Sequence, residues 1–210
     1  MPTTDPHIAE TQEFFTPRAA TWDERFPDDG PAFAAAVAEL GLAPGDTALD
    51  VGCGTGRALP HLRAAVGERG TVVGVDLTPA MVVVAAGRGP AVLGDARRLP
   101  VGAGVADGVL AAGLINHLPD PRAGLRELAR VTRPGGRLAL FSPVGRATLA
   151  ARRGHPLRPD DVRDPANLPA ALDATGWELV SVDDGPDRYL ALARRARRGR
   201  LDAGGDTGRG

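Results

Sequence analysis

Three glycines spaced two apart, Gly52, Gly54 and Gly56, follow an apolar run that contains the carboxylate of Asp50. A glycine-rich turn from a strand into a helix lets backbone N–H groups approach a polar or anionic ligand, because no Cβ blocks the approach. A dinucleotide fingerprint requires glycine three positions after the second one, where this chain has Arg57. A phosphate-cradling loop requires lysine, which the chain lacks. The loop therefore favours a nucleoside-type ligand without a pyrophosphate.

Three acidic residues stand at the ends of successive predicted strands. Asp76 lies 20 residues after Gly56, where a carboxylate can accept hydrogen bonds from both hydroxyls of a ribose. Asp95 follows the third strand and can accept from an exocyclic adenine amine, while the next backbone N–H donates to the ring. Asp50 precedes the glycines and can attract the ammonium of an amino-acid group. Each acid alone is more often a turn residue, but together they indicate a binding site.

The elements that must position these residues alternate between short apolar runs and segments long enough for helices. This rhythm implies right-handed crossovers and an α/β, doubly wound, mostly parallel sheet with helices on both faces. A terminal hairpin is predicted around the turn at residues 183–186. The strands are predicted over Thr47–Val51, Thr71–Val75, Ala91–Leu93, Gly108–Ala112, Arg137–Phe141, Trp177–Val182 and Tyr189–Ala193.

Helices are predicted between these strands. Thr78 is a candidate N-cap before a proline at the first helical position, and Pro60 must lie in the first turn of the helix after the glycines. Further helices are predicted over Pro121–Arg133 and Ala166–Thr175, and a long loop over Ser142–Pro165, which is rich in proline, glycine and arginine.

The composition bounds the class of protein. A chain of 210 residues with 43% apolar residues and a net charge of −1 predicts one globular domain and lacks the basic balance of nucleic-acid binders. The single cysteine, Cys53, excludes an internal disulfide and a cysteine zinc site. The sequence has no membrane-spanning run and no signal-peptide pattern, so a cytoplasmic protein is expected. No metal site and no oligomeric state are predicted.

Aromatic residues concentrate at the N-terminus, where five of the eight lie within the first 33 residues. This segment could form a lid over the strand ends or could anchor N-terminal helices to the core. The predicted organisation is a helical lid at residues 1–31, a main domain at 32–194 and a disordered tail at 195–210. The tail is rich in arginine and glycine, and contact with nucleic acid is its alternative role.

Five motifs in order resemble those of class I S-adenosylmethionine-dependent methyltransferases. They are LDVGCGTG (49–56), VVGVDLTPAM (72–81), LGDARRLP (93–100), ADGVLAAGLINHLPDP (106–121) and LARVTRPGGRLAL (128–140). The resemblance covers residues 32–194 and implies a Rossmann-like sheet of seven strands with the last one antiparallel. It also implies that the glycine loop passes the methionine group of the cofactor. The implied cofactor residues are Asp50, Gly52, Gly54, Gly56, Asp76, Leu77, Met81, Asp95, Ala96 and Ala112.

Within this family, two motifs are similar to the small-molecule branch that includes quinone-biosynthesis (ubiquinone and menaquinone) methyltransferases. They are WDERF at residues 22–26, after a pair of phenylalanines, and INHLPDP at residues 115–121. The family often has two histidines where this chain has Asn116 and His117, so a role for the first is not carried over. The implied partner is a small-molecule acceptor, and the candidate substrate-pocket residues are Phe14, Phe15, Trp22 and Asn116.

Methyl transfer from a sulfonium is an in-line displacement that yields S-adenosylhomocysteine, and the enzyme mainly aligns the reactants and excludes water. A base is required only when the nucleophile arrives protonated. His117 follows the fourth predicted strand and is the candidate base; its alternative role is to pack against or cap the following turn.

Other functions were weighed against this one. DNA amino-methyltransferases have an Asp/Asn-Pro-Pro-aromatic stretch and cytosine C5 enzymes a Pro-Cys nucleophile, and this chain has neither; nucleic-acid substrates are therefore not expected. Asp120 alone is too little for a metal-dependent catechol-type enzyme. Two alternatives remain open: a regulatory or partner protein that binds S-adenosylmethionine without transferring its methyl group and, more weakly, a nicotinamide-dependent oxidoreductase.

Overall fold

The computed structural model of this chain describes residues 5–25 and 29–197. Phe26, the end of the WDERF motif, lies outside the described residues, as do residues 1–4 and the predicted tail beyond residue 197.

Seven strands form one sheet in the order β3-β2-β1-β4-β5-β7-β6. The first five strands are parallel, and β7 runs antiparallel to both of its neighbours. The predicted fold, including the antiparallel last strand, is thereby confirmed. The strands are β1 (Thr47–Val51), β2 (Thr71–Asp76), β3 (Ala91–Leu93), β4 (Ala106–Ala112), β5 (Thr132–Ser142), β6 (Trp177–Asp184) and β7 (Tyr189–Arg195).

Helices cover both faces of the sheet because its central strands are apolar on both sides. Buried side chains of α2 and α3 pack on one face with Leu110 and Phe141. Buried side chains of α5 and α7 pack on the other face with Val109 and Leu140. The helices are α1 (Pro6–Phe15), α2 (Gly30–Leu40), α3 (Leu59–Val66), α4 (Pro79–Ala85), α5 (Pro121–Val131), α6 (Arg146–Arg153) and α7 (Leu168–Asp173), with short 3-10 helices at Thr16–Thr21, Asp23–Arg25 and Ile115–His117.

Two predictions around β5 were wrong. The helix predicted to reach Arg133 ends at Val131, because Thr132 is extended and already pairs with Ala106 of β4. The loop predicted over Ser142–Pro165 contains α6. That helix has no apolar stripe of buried residues, and its buried residue is Arg146, so apolar periodicity could not reveal it.

Two secondary-structure elements cross the predicted domain boundaries, and one predicted cap differs. α2 begins at Gly30, inside the predicted lid, and β7 ends at Arg195, inside the predicted tail. Thr78 occupies the N-cap position of α4, but its side chain makes no capping hydrogen bond; instead its backbone N–H donates to Asp76. Within the described part of the chain, every helix is too short or too polar to cross a bilayer.

Candidate functional site

A cavity of about 590 Å³ opens at the carboxyl ends of β1, β2, β3 and β4. This is where ligands bind in open parallel sheets, because the loops there surround a crevice. With one exception, Gly56, all the residues predicted for the cofactor line this cavity. So do Phe14, Phe15, Trp22, Asn116 and His117.

The glycines of the loop after β1 have different surroundings. All have positive φ angles, of 72°, 54° and 80°, in the region that glycine adopts without strain. A Cβ on Gly54 would meet no atom within 4 Å, so this backbone faces open space in the cavity. A Cβ on Gly56 would lie 2.9 Å from Leu59 and 3.0 Å from Ala85. Gly56 therefore permits close packing of the loop against α3 and α4, and its predicted contact with the cofactor stays a prediction.

Asp76, at the end of β2, ties this loop to the next one. Its Oδ2 accepts a hydrogen bond from the N–H of Gly54 and its Oδ1 accepts one from the N–H of Thr78, both at 2.8 Å. Burial raises the pKa of Asp76, and these hydrogen bonds oppose the rise. Because a carboxylate can accept about four hydrogen bonds, the two oxygens can still accept from a ligand in the cavity.

Asp50, in the middle of the sheet, is the least compensated acid of the cavity. Its residue is only 1% exposed, and its Oδ1 has no hydrogen-bond partner within residues 5–25 and 29–197. Burial, together with the charge of Asp76, raises the pKa of Asp50 to about 7. A buried carboxylate without a donor is costly, so a cationic ligand group beside Asp50 would be strongly favoured.

Asp95, in the turn after β3, is bonded within its own loop. Its oxygens accept from the side chain of Arg97 at 2.7 to 3.1 Å and from the backbone N–H of Arg97 at 2.8 Å. Burial raises the pKa of Asp95, but these contacts outweigh it and hold the pKa below its usual value. Arg97 also pairs with Asp5 before α1, at 2.8 Å. The predicted adenine-reading acid thus connects directly to the N-terminal segment.

Aromatic side chains enclose the other end of the cavity. The ring of Phe15 contacts the rings of Phe14, Trp22 and His117, with centroids 4.9, 5.5 and 5.5 Å away. The predicted candidate base therefore packs edge to face against the predicted lid. Asp120, and not His117, caps α5 by accepting from the N–H of Ala123.

His117 lies near positive charges, whereas Asp50 lies near the negative charge of Asp76. Burial lowers its pKa, and so do the positive charges of Arg153, Arg163 and His7. The imidazole is therefore neutral at pH 7, the form in which it can accept a proton. Asn116 is exposed to the cavity, and its side chain has no hydrogen-bond partner in the described ranges.

Sequence reasoning missed the two arginines that line this end of the cavity, Arg153 and Arg163. Arg153 ends α6, and Arg163 lies in the segment that follows it. The sequence shows an arginine pair at residues 152–153. Which of these two side chains faces the cavity cannot be predicted without the bounds and orientation of α6. We call the part of the cavity lined by His117, Arg153 and Arg163 the basic end, and the part lined by Asp50, Asp76 and Asp95 the acidic end.

A buried arginine holds the basic end in place. Arg146 is 5% exposed, and its guanidinium bonds Asp184 of β6 at 2.8 Å, Asp161 at 3.1 Å and Asp164 at 2.8 Å. Asp161 also pairs with Arg163 at 2.9 Å. Since charged groups are rarely buried unless paired, this network fixes α6 and the following segment onto the end of the sheet.

The N-terminal segment is bonded to the loops after three strands. Asp23 accepts from the hydroxyl of Thr55 at 2.7 Å, after β1. Gln12 donates to the carbonyl of Leu77 at 2.9 Å, after β2. Asp5 pairs with Arg97 after β3, as described above. The segment therefore covers the cavity and is attached to each loop that the predicted cofactor residues occupy.

The described residues do not indicate a metal site. Within the described residues, no group of three or more His, Cys, Asp or Glu side chains is placed to hold a metal ion. The thiol of Cys53 is buried, and burial raises its pKa far above the usual range.

Comparison with known proteins agrees with this architecture. The family model described as a methyltransferase domain matches residues 49–140. A demethylmenaquinone methyltransferase of Mycobacterium sp. (strain KMS) is 36% identical over 164 residues, which cover 75% of this chain and 68% of that protein. The demethylmenaquinone methyltransferase of Mycolicibacterium vanbaalenii is 36% identical over 162 residues, covering 75% and 63%.

The fold is shared with solved structures over most of this chain. The crystal structure of a SAM-dependent methyltransferase from Aquifex aeolicus has a TM-score of 0.65 and 25% identity, covering 92% of this chain and 100% of that one. The chain spans between 32% and 63% of the length of four curated relatives that it matches, the Mycolicibacterium vanbaalenii protein among them. Together with the predicted motifs and the confirmed strand order, these likenesses identify the family: the chain belongs to the class I S-adenosylmethionine-dependent methyltransferases.

Proposed function

We propose that this chain transfers the methyl group of S-adenosylmethionine to a small-molecule acceptor, at oxygen, nitrogen or activated carbon. The observation that carries this proposal is the buried Oδ1 of Asp50, which has no donor among the described residues, in a residue that lines the same cavity as Gly54. The amino-acid end of the cofactor carries an ammonium group. That group would supply the positive charge that Asp50 lacks, and the glycine backbone leaves room for it to approach.

The rest of the acidic end fits the nucleoside. Asp76 would accept hydrogen bonds from the ribose hydroxyls, using the lone pairs that Gly54 and Thr78 leave free. Asp95 accepts four hydrogen bonds from Arg97, so it would exchange one of them to accept from the adenine amine, next to the buried Ala96. Leu77 and the buried Met81 would supply apolar contact with the adenine ring. Gly52 and Ala112 also line the cavity and belong to the proposed binding set.

Methyl transfer depends mainly on the alignment of donor and acceptor and less on catalytic side chains. When bound, S-adenosylmethionine supplies an electrophilic methyl group on a sulfonium. The protein would hold the acceptor in line with it and exclude water under the aromatic cover of Phe14, Phe15 and Trp22. The neutral His117 would take the proton from an acceptor that arrives protonated. Relatives named demethylmenaquinone methyltransferases support a small-molecule acceptor.

Calorimetry with S-adenosylhomocysteine, followed by an assay of its production from S-adenosylmethionine, tests the proposal. We expect micromolar product binding and steady production when a suitable acceptor is added. Binding without production from any acceptor in a broad panel would favour the regulatory alternative. Binding of NADH in place of S-adenosylhomocysteine would favour the oxidoreductase.

A further inference from the structure

The two ends of the cavity carry opposite charge. The four acidic residues that line the cavity are Asp29, Asp50, Asp76 and Asp95. The first pairs with Arg57 at 3.1 Å beyond the glycine loop, and the other three form the acidic end. The basic end is lined instead by two arginines and a histidine. This division matches a cationic methyl donor at one end and calls for a different ligand charge at the other.

Arg153 is the least compensated cation of the cavity. Within residues 5–25 and 29–197 its side chain forms no hydrogen bond and no ion pair. Arg153 and the adjacent Arg152 are both exposed on the same helix, but Arg152 does not line the cavity. A guanidinium presents donors in a fork that matches a carboxylate in two parallel hydrogen bonds. Arg153 therefore lines the cavity with its donors available to a ligand.

Arg163 is held in position by the protein. Its Nε and Nη2 donate to Asp161 at 3.1 and 2.9 Å, and its guanidinium lies 5.9 Å from the ring centroid of Tyr189. The hydroxyl of Tyr189 donates to the carbonyl of Arg163 at 3.0 Å. These contacts use one edge of the guanidinium and leave Nη1 without a partner in the described ranges. A ligand anion could thus bridge a fixed arginine and an uncommitted one.

We propose that the methyl acceptor carries an anionic group on an aromatic or other apolar body, and that Arg153, with Arg163, binds this group. The proposal rests on the proposed methyltransferase function, whose acceptor class it specifies. The body would contact Phe14, Phe15 and Leu149, which line the same part of the cavity.

Binding of such an acceptor would also prepare the candidate base. The positive charges of Arg153 and Arg163 lower the pKa of His117. An acceptor anion between the two arginines would offset these charges, so the pKa of His117 would rise and its proton affinity would increase once the acceptor is bound. An uncharged acceptor would leave the histidine a weaker base. The two arginines would therefore select the acceptor by charge both in binding and in reaction.

Matched acid and amide probes test the proposal on the whole chain. The probes are 2-hydroxybenzoate and 1-hydroxy-2-naphthoate, each compared with its carboxamide, titrated with S-adenosylhomocysteine present. We expect each acid to bind more tightly than its amide. R153Q should weaken the acids about tenfold, the cost of one charge-assisted contact, and should leave the amides within twofold. R153K should keep part of the preference, and R152Q should keep all of it.

Further measurements separate this proposal from the one it rests on. S-adenosylhomocysteine should bind R153Q and the unmodified chain equally; if R153Q loses that affinity instead, Arg153 binds the carboxylate of the cofactor and the acceptor proposal is wrong. Equal affinity for acids and amides, or no binding of either, also overturns it while the methyltransferase function stands. If S-adenosylhomocysteine binds no form of the chain, the proposed function itself fails. Thermal unfolding of each variant shows whether it is folded.

Discussion

The acidic and basic ends of the cavity are built by different means. The acidic end stands on the carboxyl ends of β1, β2 and β3, and the side chain of Asp76 is positioned there by backbone hydrogen bonds from Gly54 and Thr78. The basic end stands on α6 and the segment after it, which Arg146 attaches to the sheet through three carboxylates. The hydrogen-bonded sheet fixes the positions of residues at strand ends. The ion pairs around Arg146 depend on side chains, so substitutions can rearrange them to suit a different ligand.

This difference suggests that the two ends of the cavity bind different ligands. A donor shared by a whole family requires a constant site, and strand ends provide one. The acceptor differs between family members, and loops and short helices tolerate that change. Four predictions follow from the contrast, beginning with the largest expected effect.

His117 at the basic end should affect turnover and spare cofactor binding. For an acceptor that arrives protonated, H117Q should lower the rate of S-adenosylhomocysteine production by roughly 100- to 10,000-fold, the usual contribution of general base catalysis. Its affinity for S-adenosylhomocysteine should be unchanged, because the acidic end is intact. H61Q, at a histidine of α3 that does not line the cavity, is the matched control. Unaltered turnover in H117Q would remove the histidine from the mechanism.

Because the three ion pairs share one guanidinium, the attachment of α6 to the sheet should depend strongly on Arg146. R146M should lower the free energy of unfolding by about 3 to 5 kcal/mol, because three carboxylates would lose a buried partner. R158M removes an exposed arginine that pairs with Asp160, and it should leave the stability unchanged. Urea titration of both variants measures this. A small loss in R146M would show that packing, and not the network, holds α6.

Asp50 should give the acidic end an unusual pH dependence. Its pKa is about 7 in the folded protein, above its ordinary value of 3.8, so the folded state binds the extra proton. Stability from this group is complete below pH 3.8 and is lost as pH rises to 7, by up to about 4 kcal/mol. D50N should remove this loss, so its advantage in urea titrations should grow from pH 5 to pH 8.

The ionised form of Asp50 is the one that would attract the cofactor's ammonium. Affinity for S-adenosylhomocysteine should therefore rise with pH up to about 7 in the unmodified chain, and D50N should lose this dependence.

The stability of the basic end depends on pH in the opposite direction. The charges of Arg163 and Arg146 hold the pKa of Asp161 below its usual value despite burial. Its stabilising contribution is present above pH 3.8 and is lost as pH falls through the lowered pKa.

Asp76 should give the smallest of the four effects. D76A should weaken S-adenosylhomocysteine binding by about 1.5 to 3 kcal/mol, the usual cost of losing charge-assisted hydrogen bonds. D107A is the matched control: Asp107 also accepts a backbone hydrogen bond, from Thr47 at 2.7 Å, but at the opposite end of β1. Calorimetry that finds equal affinity in folded D76A would refute the assignment of the ribose site.

The sequence predicted the acidic end far better than the basic end, and the physical reason is periodicity. Central parallel strands are continuous apolar runs, so their limits, and the acids that follow them, can be read directly. Two strands, Thr47–Val51 and Ala91–Leu93, have the predicted bounds. Spacing alone could not show that a Cβ on Gly56 would meet Ala85, because that contact depends on the tertiary fold.

The basic end could not be predicted in the same way. α6 buries an arginine where a typical helix buries an apolar stripe, and its partners lie 15, 18 and 38 residues further along the chain. Such ion pairs leave no pattern in the sequence. The aromatic cluster around Phe15 was visible as a concentration of aromatic residues, but its contact with His117 depended on the tertiary fold.

The three attachments of the N-terminal segment have a consequence for the speed of the catalytic cycle. Each contact, at Thr55, Leu77 and Arg97, is a weak bond that opens quickly by itself. Asp23 also pairs with Arg88. Release of spent cofactor beneath the segment would require these contacts to open together, which happens less often than the opening of any one of them. We therefore expect the release of S-adenosylhomocysteine, and not methyl transfer, to limit turnover of good acceptors.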